Sequence, residues 1–187
     1  DSFYFAQKAA RVVCVEKVAW LSEITEYNFG VLGLRNCSFL CADVAKQSLE
    51  SILQTVALSS VDVIYLDPSR RNENTQQRVY AIEDCSPDVK AMMGDLLSVA
   101  PHIIIKLSPM VDLKALERNF NGLCDIHVLS LKNECKEVLG EIRRDYNGKV
   151  LYHAADLTKG GFGTLSFSRD EDEIFKQAGD RYSQVGK

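Results

Sequence analysis

Val61-Asp62-Val63-Ile64-Tyr65-Leu66-Asp67-Pro68-Ser69-Arg70-Arg71 decides how the rest of the chain is read. Val61 to Leu66 is short, rich in β-branched and aromatic residues, and apolar at almost every position. That is the pattern of a strand covered on both faces, as parallel strands are. Pro68 ends it, because proline has no backbone N–H to give to a ladder and its φ is fixed. A carboxylate and a proline-fixed turn at a strand end can present aligned acceptors to a substrate; equally, the stretch reads as a strand-ending turn followed by two solvated arginines. From Ser69 to Ser86 the sequence is polar, with Arg70, Arg71, Asn72, Asn74, Gln76, Gln77 and Arg78, and predicts a surface loop with a short helical piece.

Upstream, Phe3 to Ala10 predicts a short helix, Val12 to Val15 a buried strand closed by Glu16, and Val18 to Leu32 an amphipathic helix. The last rests on Trp20, Leu21, Ile24, Tyr27 and Val31 recurring at threes and fours, with Gly30 or Gly33 to end it. Ser38 to Ala42 predicts a strand followed by Asp43, and Val44 to Val56 a helix. Downstream, Pro87 opens a helix running to Val99, His102 to Leu107 is a strand, Asp112 caps a helix over Leu113 to Phe120, and Ile126 to Leu131 is a strand. Glu134 to Arg144 reads as a helix. Lys149 to Ala154 and Thr164 to Phe167 read as strands joined across Gly160-Gly161-Phe162-Gly163, a hairpin turn. The tail, Asp170 to Lys187, is charged and starts a helix.

Strands and helices that alternate in this way predict an α/β fold with a mainly parallel sheet, helices on both faces and a late antiparallel hairpin. In such sheets ligands bind beyond the carboxyl ends of the strands. The informative residues are therefore Glu16, Asp43, Asp67 and Ser108, which close four strands. Glu16 can accept from the two hydroxyls of a ribose, or be a solvated acid ahead of a helix. Asp43 can accept from an adenine amino group, or cap the helix that follows it.

At 187 residues, 46% of them hydrophobic and 26% charged, the chain has the composition of one ordinary globular domain. Its apolar runs are far shorter than the roughly 20 residues needed to cross a bilayer, and no basic-then-apolar leader opens it, so the expected location is the cytoplasm. A net charge of −4 requires any nucleic-acid partner to be held by a local basic patch. Cys14, Cys37, Cys41, Cys85, Cys124 and Cys135 form no CxxC pair, and no histidine stands at metal-ligand spacing, so buried free thiols are expected and no metal site.

Taken together, Val12-Val13-Cys14-Val15-Glu16, Asn28 with Gly33-Leu34, Leu40-Cys41-Ala42-Asp43 and the stretch through Asp67-Pro68 resemble the class I S-adenosylmethionine-dependent methyltransferases. Tyr65-Leu66-Asp67-Pro68-Ser69-Arg70-Arg71, with Asn133-Glu134-Cys135-Lys136-Glu137 downstream, is similar to the bacterial subgroup that carries a C-terminal THUMP-like domain. The resemblance covers residues 1–168 and leaves 169–187 as a charged tail or the start of a following domain. It implies a Rossmann-like three-layer sandwich and S-adenosylmethionine as cofactor. Glu16 and Lys17 would hold the ribose, Asp43 and Val44 would face the adenine, and Asp67 and Pro68 would line the site of methyl transfer. RNA is the implied substrate, with Ser69, Arg70, Arg71 and Arg78 holding phosphate. Ser69 and Arg70 stand where related base-amino methyltransferases carry a second proline and an aromatic, and no cysteine adjoins Pro68 for attack on a pyrimidine carbon.

The resembling family places a glycine-rich loop and its strand just before a helix like that at Phe3, so the N-terminal strand is expected to be missing here. A segment outside the sequence or a strand from another copy is expected to fill its slot, in preference to direct pairing of Val12–Val15 with Val61–Leu66; an additional domain or a homo-oligomer would serve. Two rival functions use parts of the same pattern. One is a nicotinamide-dependent oxidoreductase, which Asp67-Pro68 disfavours; the other is a catalytically silent scaffold or RNA-binding domain.

Overall fold

The computed structural model describes residues 1–69, 85–132, 134–158 and 163–168. The chain divides into two compact units, Asp1–Val61 and Asp62–Lys187.

The first unit contains α1 (Ser2–Ala6), β1 (Val12–Glu16), α2 (Ala19–Val31), β2 (Cys37–Cys41) and α3 (Leu49–Gln54). β1 and β2 pair in parallel, Val12 opposite Cys37 and Glu16 opposite Cys41. Phe29 of α2 is buried between Phe3 and Phe39, its ring edge-on to both at centroid distances of 6.5 and 5.2 Å. Gly33, at φ +76°, ends α2, and the Leu34 N–H returns to the Phe29 carbonyl at 3.0 Å. The stripe that marked α2 as amphipathic faces outward: Trp20, Ile24, Tyr27 and Val31 are 60, 50, 72 and 69% exposed, while Ser22 and Phe29 are the buried residues. The periodicity is that of a helix, but the buried face is the one carrying Phe29. The helix expected over Val44 to Val56 is shortened to α3, because Asp43 first closes a turn of its own and Ser48 caps the helix by accepting from Ser51 N–H.

The second unit contains β3 (Val63–Leu66), α4 (Val89–Val99), β4 (His102–Leu107), α5 (Leu113–Asn119), β5 (Leu123–Leu131), β6 (Glu134–Arg143), β7 (Leu151–Asp156) and β8 (Gly163–Ser168). Its sheet has the order β3-β4-β6-β5-β7-β8. β3 pairs with β4 and β5 with β7 in parallel, so β3, β4, β5 and β7 share one direction while β6 and β8 run against them. The expected late hairpin is present as β7 and β8, with Asp156 opposite Gly163; residues 159–162 of its turn lie outside the described residues. Val12–Val15 pairs with β2 and Val63–Leu66 with β4, so the direct pairing held in reserve for these two stretches is not among the strand pairings.

One expected element is of the other kind. Glu134 to Arg144 has the Glu, Lys, Leu and Arg content of a helix, but it forms β6, paired antiparallel to β4 on one side and β5 on the other. The period decides: Val138, Gly140 and Ile142 are buried at intervals of two, with half-buried or exposed residues between. Two full ladders of hydrogen bonds outweigh a weak local preference.

Register sorts the strands into two faces. Ile103, Ile105, Leu107, Val138, Ile142 and Ile126 lie on one, all buried, and α4 and α5 contribute Leu96, Val99 and Leu116 to that core. Gly122, at φ +80°, turns the chain into β5, where a Cβ would stand 2.6 Å from the Arg143 carbonyl oxygen. All six cysteines are free, and Cys124 alone is fully buried.

Candidate active site

In the first unit, parallel pairing brings two strand-end acids to one edge. Glu16 is the last residue of β1, and Asp43 follows two residues after its register partner Cys41. Glu16 is half-buried, and its Oε1 accepts from the Val18 N–H at 2.8 Å, fixing the start of α2. Asp43 Oδ1 accepts from the Ala45 N–H at 3.1 Å, Oδ2 pairs with Lys46 Nζ at 3.1 Å, and its carbonyl accepts from the N–H groups of Lys46 and Gln47. Lys46, and then the Ala45 N–H, hold the Asp43 carboxyl below its ordinary range. Asp43 therefore closes a turn, and the helix-capping role weighed for it falls to Ser48. Lys17 is exposed and Val44 half-buried beside these acids.

In the second unit, Asp67 leaves the carboxyl end of β3 and Lys106 stands on the neighbouring β4, its Nζ 2.7 Å from Asp67 Oδ2. Pro68 is buried. Ser69 is tied to Ser86 by two backbone hydrogen bonds of 2.8 and 3.0 Å, which clamp the exit of the Asp67-Pro68 turn. At the end of β4, Ser108 is buried and its Oγ accepts from the Met110 N–H at 3.2 Å. Tyr65, two residues before Asp67, has its hydroxyl pushed up to about 12, first by burial and then by the charges of Asp67 and Glu137. It is a phenol donor at any physiological pH. Arg70, Arg71 and Arg78 lie outside the described residues.

Among solved structures, this chain is similar to a protein from Porphyromonas gingivalis W83 described as a "putative methyltransferase". The match has a TM-score of 0.78 and 26% identity over 93% of this chain and 42% of that one. The two share a fold. The chain spans less than half the length of that protein. A modification subunit of a "putative type I restriction enzyme" from Vibrio vulnificus YJ016 matches at a TM-score of 0.48 and 11% identity, over 80% of this chain and 36% of that one. No family model matches the sequence, and no curated protein matches it.

Lys106 is the residue that motif reading passed over. It has a signal in the sequence: a charged side chain in the second-last place of the apolar run His102-Ile103-Ile104-Ile105-Lys106-Leu107. A lysine there lies beside the terminal turn of the adjacent parallel strand, and its half-buried ammonium supplies Asp67 with a fixed counter-charge. Asp67 itself is 52% exposed.

Proposed function

We propose that the chain forms part of a class I S-adenosylmethionine-dependent methyltransferase that acts on RNA, of the bacterial subgroup with a C-terminal THUMP-like domain, built as a Rossmann-like three-layer sandwich and working in the cytoplasm. The observation that carries the reading is the fold shared over 93% of the chain with the Porphyromonas gingivalis protein. Residues 1–168 would be the methyltransferase domain, and 169–187 its charged tail or the start of a following one.

Glu16 and Asp43 suit the nucleoside half of the cofactor. Each carboxylate oxygen has two acceptor positions, so the Glu16 and Asp43 oxygens that already serve backbone N–H groups can accept again, from ribose hydroxyls and an adenine amino group. Lys17 and Val44 would border them. When bound, the cofactor supplies an activated methyl carbon on a sulfonium leaving group, so the protein chiefly provides alignment. Asp67, steadied by Lys106, would orient the target atom and accept its proton as the bond to carbon forms. Pro68 would shape the turn, while Ser69, Arg70, Arg71 and Arg78 would hold phosphate.

Calorimetric titration with S-adenosylmethionine tests the reading: in a chain extended upstream to restore the expected glycine-rich loop, binding is expected, and Glu16→Ala should weaken it by about 1 to 3 kcal/mol through lost charge-assisted hydrogen bonds. Equal affinity in the variant would remove the ribose role. For RNA, the double change Arg70→Ala, Arg71→Ala should lower affinity and flatten its dependence on salt, as lost phosphate contacts do. An unaltered slope would return both arginines to solvated turn residues.

A further inference from the structure

All three histidines of the chain, His102, His127 and His153, converge on two carboxylates in the second unit. They stand on the sheet face opposite the apolar core. His127 Nε2 lies 3.0 Å from Glu141 Oε1, His153 Nε2 lies 2.7 Å from Asp125 Oδ1, and His102 Nε2 lies 3.0 Å from Glu141 Oε2. The rings of His127 and His153 are stacked, centroids 4.6 Å apart and planes inclined by 19°. Register produces this grouping, since Asp125 opposes Glu141 across β5 and β6, and His127 opposes His153 across β5 and β7. A bulge between Leu123 and Asp125 re-aims the strand at that level.

We propose that Asp125, His127, Glu141 and His153 form a binding site for a divalent transition metal of the zinc class. Two imidazole nitrogens and two carboxylate oxygens are a donor set that suits zinc and cobalt in four-coordinate geometry. Tetrahedral coordination at the usual bond lengths puts neighbouring donor atoms about 3.3 Å apart. The His127–Glu141 and His153–Asp125 pairs stand at 3.0 and 2.7 Å, and the ligand atoms of Asp125 and Glu141, with Cys124, lie within 4.8 Å of one another, a group that the two histidine nitrogens flank without joining. Side-chain rotations that bring the two pairs together would let a metal replace the shared protons.

An outer shell is in place as well. His153 Nδ1 lies 2.8 Å from Ser166 Oγ, so an Nδ1–H donated there fixes the tautomer that leaves Nε2 for the metal. His102 holds the second oxygen of Glu141. Cys124 stays outside the inner set, its thiol donating to the Glu141 carbonyl at 3.3 Å. The half-exposed Arg143 guanidinium lies 3.5 Å from Glu141 Oε2 and 4.0 Å from Asp125 Oδ2. These long contacts show that the carboxylates already gather a cation, which the metal would displace. The expectation of no metal site rested on spacing along the sequence, and spacing cannot reveal donors assembled from three strands.

The test is calorimetric titration of the chelator-stripped 187-residue chain with zinc, and optical titration with cobalt(II). One equivalent should bind, with the visible bands of four-coordinate cobalt and no thiolate charge-transfer band. His127→Ala and His153→Ala should each weaken binding more than 100-fold, His102→Ala about 10- to 100-fold, and Arg143→Ala should tighten it. Circular dichroism of each variant separates lost ligation from lost folding. No stoichiometric binding by the unaltered chain would overturn the proposal whatever the variants do. So would equal affinity in folded His127→Ala, or a thiolate band that disappears in Cys124→Ser.

Discussion

The two faces of the second unit's sheet are made by alternate residues of the same strands, yet they are held by different physics. On one, Ile103, Ile105, Ile126, Val138 and Ile142 are buried against α4 and α5, and burial of each such side chain contributes about 1.5 to 3 kcal/mol. On the other, His102, Asp125, His127, Glu141 and His153, at half-buried positions, pair with one another and with Ser166 and Arg143. Ion pairs that remain partly wet stabilise little, with a median of about 0 to 1 kcal/mol. The apolar face therefore sets whether the unit folds. The polar face contributes far less to folding.

That contrast can be broken at three places. The largest effect should come from Ile126→Ala, which opens a cavity at a residue with no exposed surface; chemical denaturation should show a loss of about 2 to 5 kcal/mol. A smaller loss would mean that the core collapses onto the gap and the faces differ less than described.

Glu141→Gln probes the other face. The hydrogen bond from His127 is the main reason that the Glu141 carboxyl lies at about 2, and the same bond raises His127 above its ordinary value. Glu141, with its folded value depressed, contributes stability that is present above its ordinary value near 4.5 and lost as pH falls toward 2. His127, with its folded value raised, contributes stability that is complete below its ordinary value near 6.5 and lost as pH rises through the folded one. In chelator, the unaltered protein should be most stable between those two limits. Glu141→Gln should cost about 1 kcal/mol there, the upper end for a partly wet pair, and flatten the pH profile. A profile of unchanged shape would show that the network does not bear on folding.

The smallest effect on stability should come from Lys106→Ala, under about 1 kcal/mol for a partly exposed pair, while under the proposed function methyl transfer would fall through kcat more than KM. Equal activity in the variant would detach Lys106 from Asp67's role.

How much of this was legible in the sequence depended on whether the decisive neighbours were local. β4 was read to the residue, and α5 within one, with Asp112 capping it by accepting from the Lys114 N–H. A strand with three consecutive isoleucines and a helix with its own cap carry their signals in adjacent positions. β6 was misread because its partners, β4 and β5, supply what its composition does not. Glu16, Asp43 and Asp67 were legible as acids at or just beyond strand ends. The cluster on the polar face was not, because positions 102, 125, 127, 141 and 153 meet only once four strands are in register.

The placement of β6 between β4 and β5 also governs the order in which the molecule can assemble. During synthesis β5 emerges before the strand that joins it to β4, so it has no seat in the sheet until Arg143 has left the ribosome. β5 and β6, joined through Lys132 and Asn133, are the pair that forms locally and fast, on the order of microseconds. Their hairpin then inserts as one piece beside β4, a non-local step that carries the entropy of closing the chain through α5. Glu141 travels on that hairpin and His102 waits on β4, so their contact is made only by the insertion. A nascent chain halted before Glu134 would hold β3 and β4 with the polar face still unwritten.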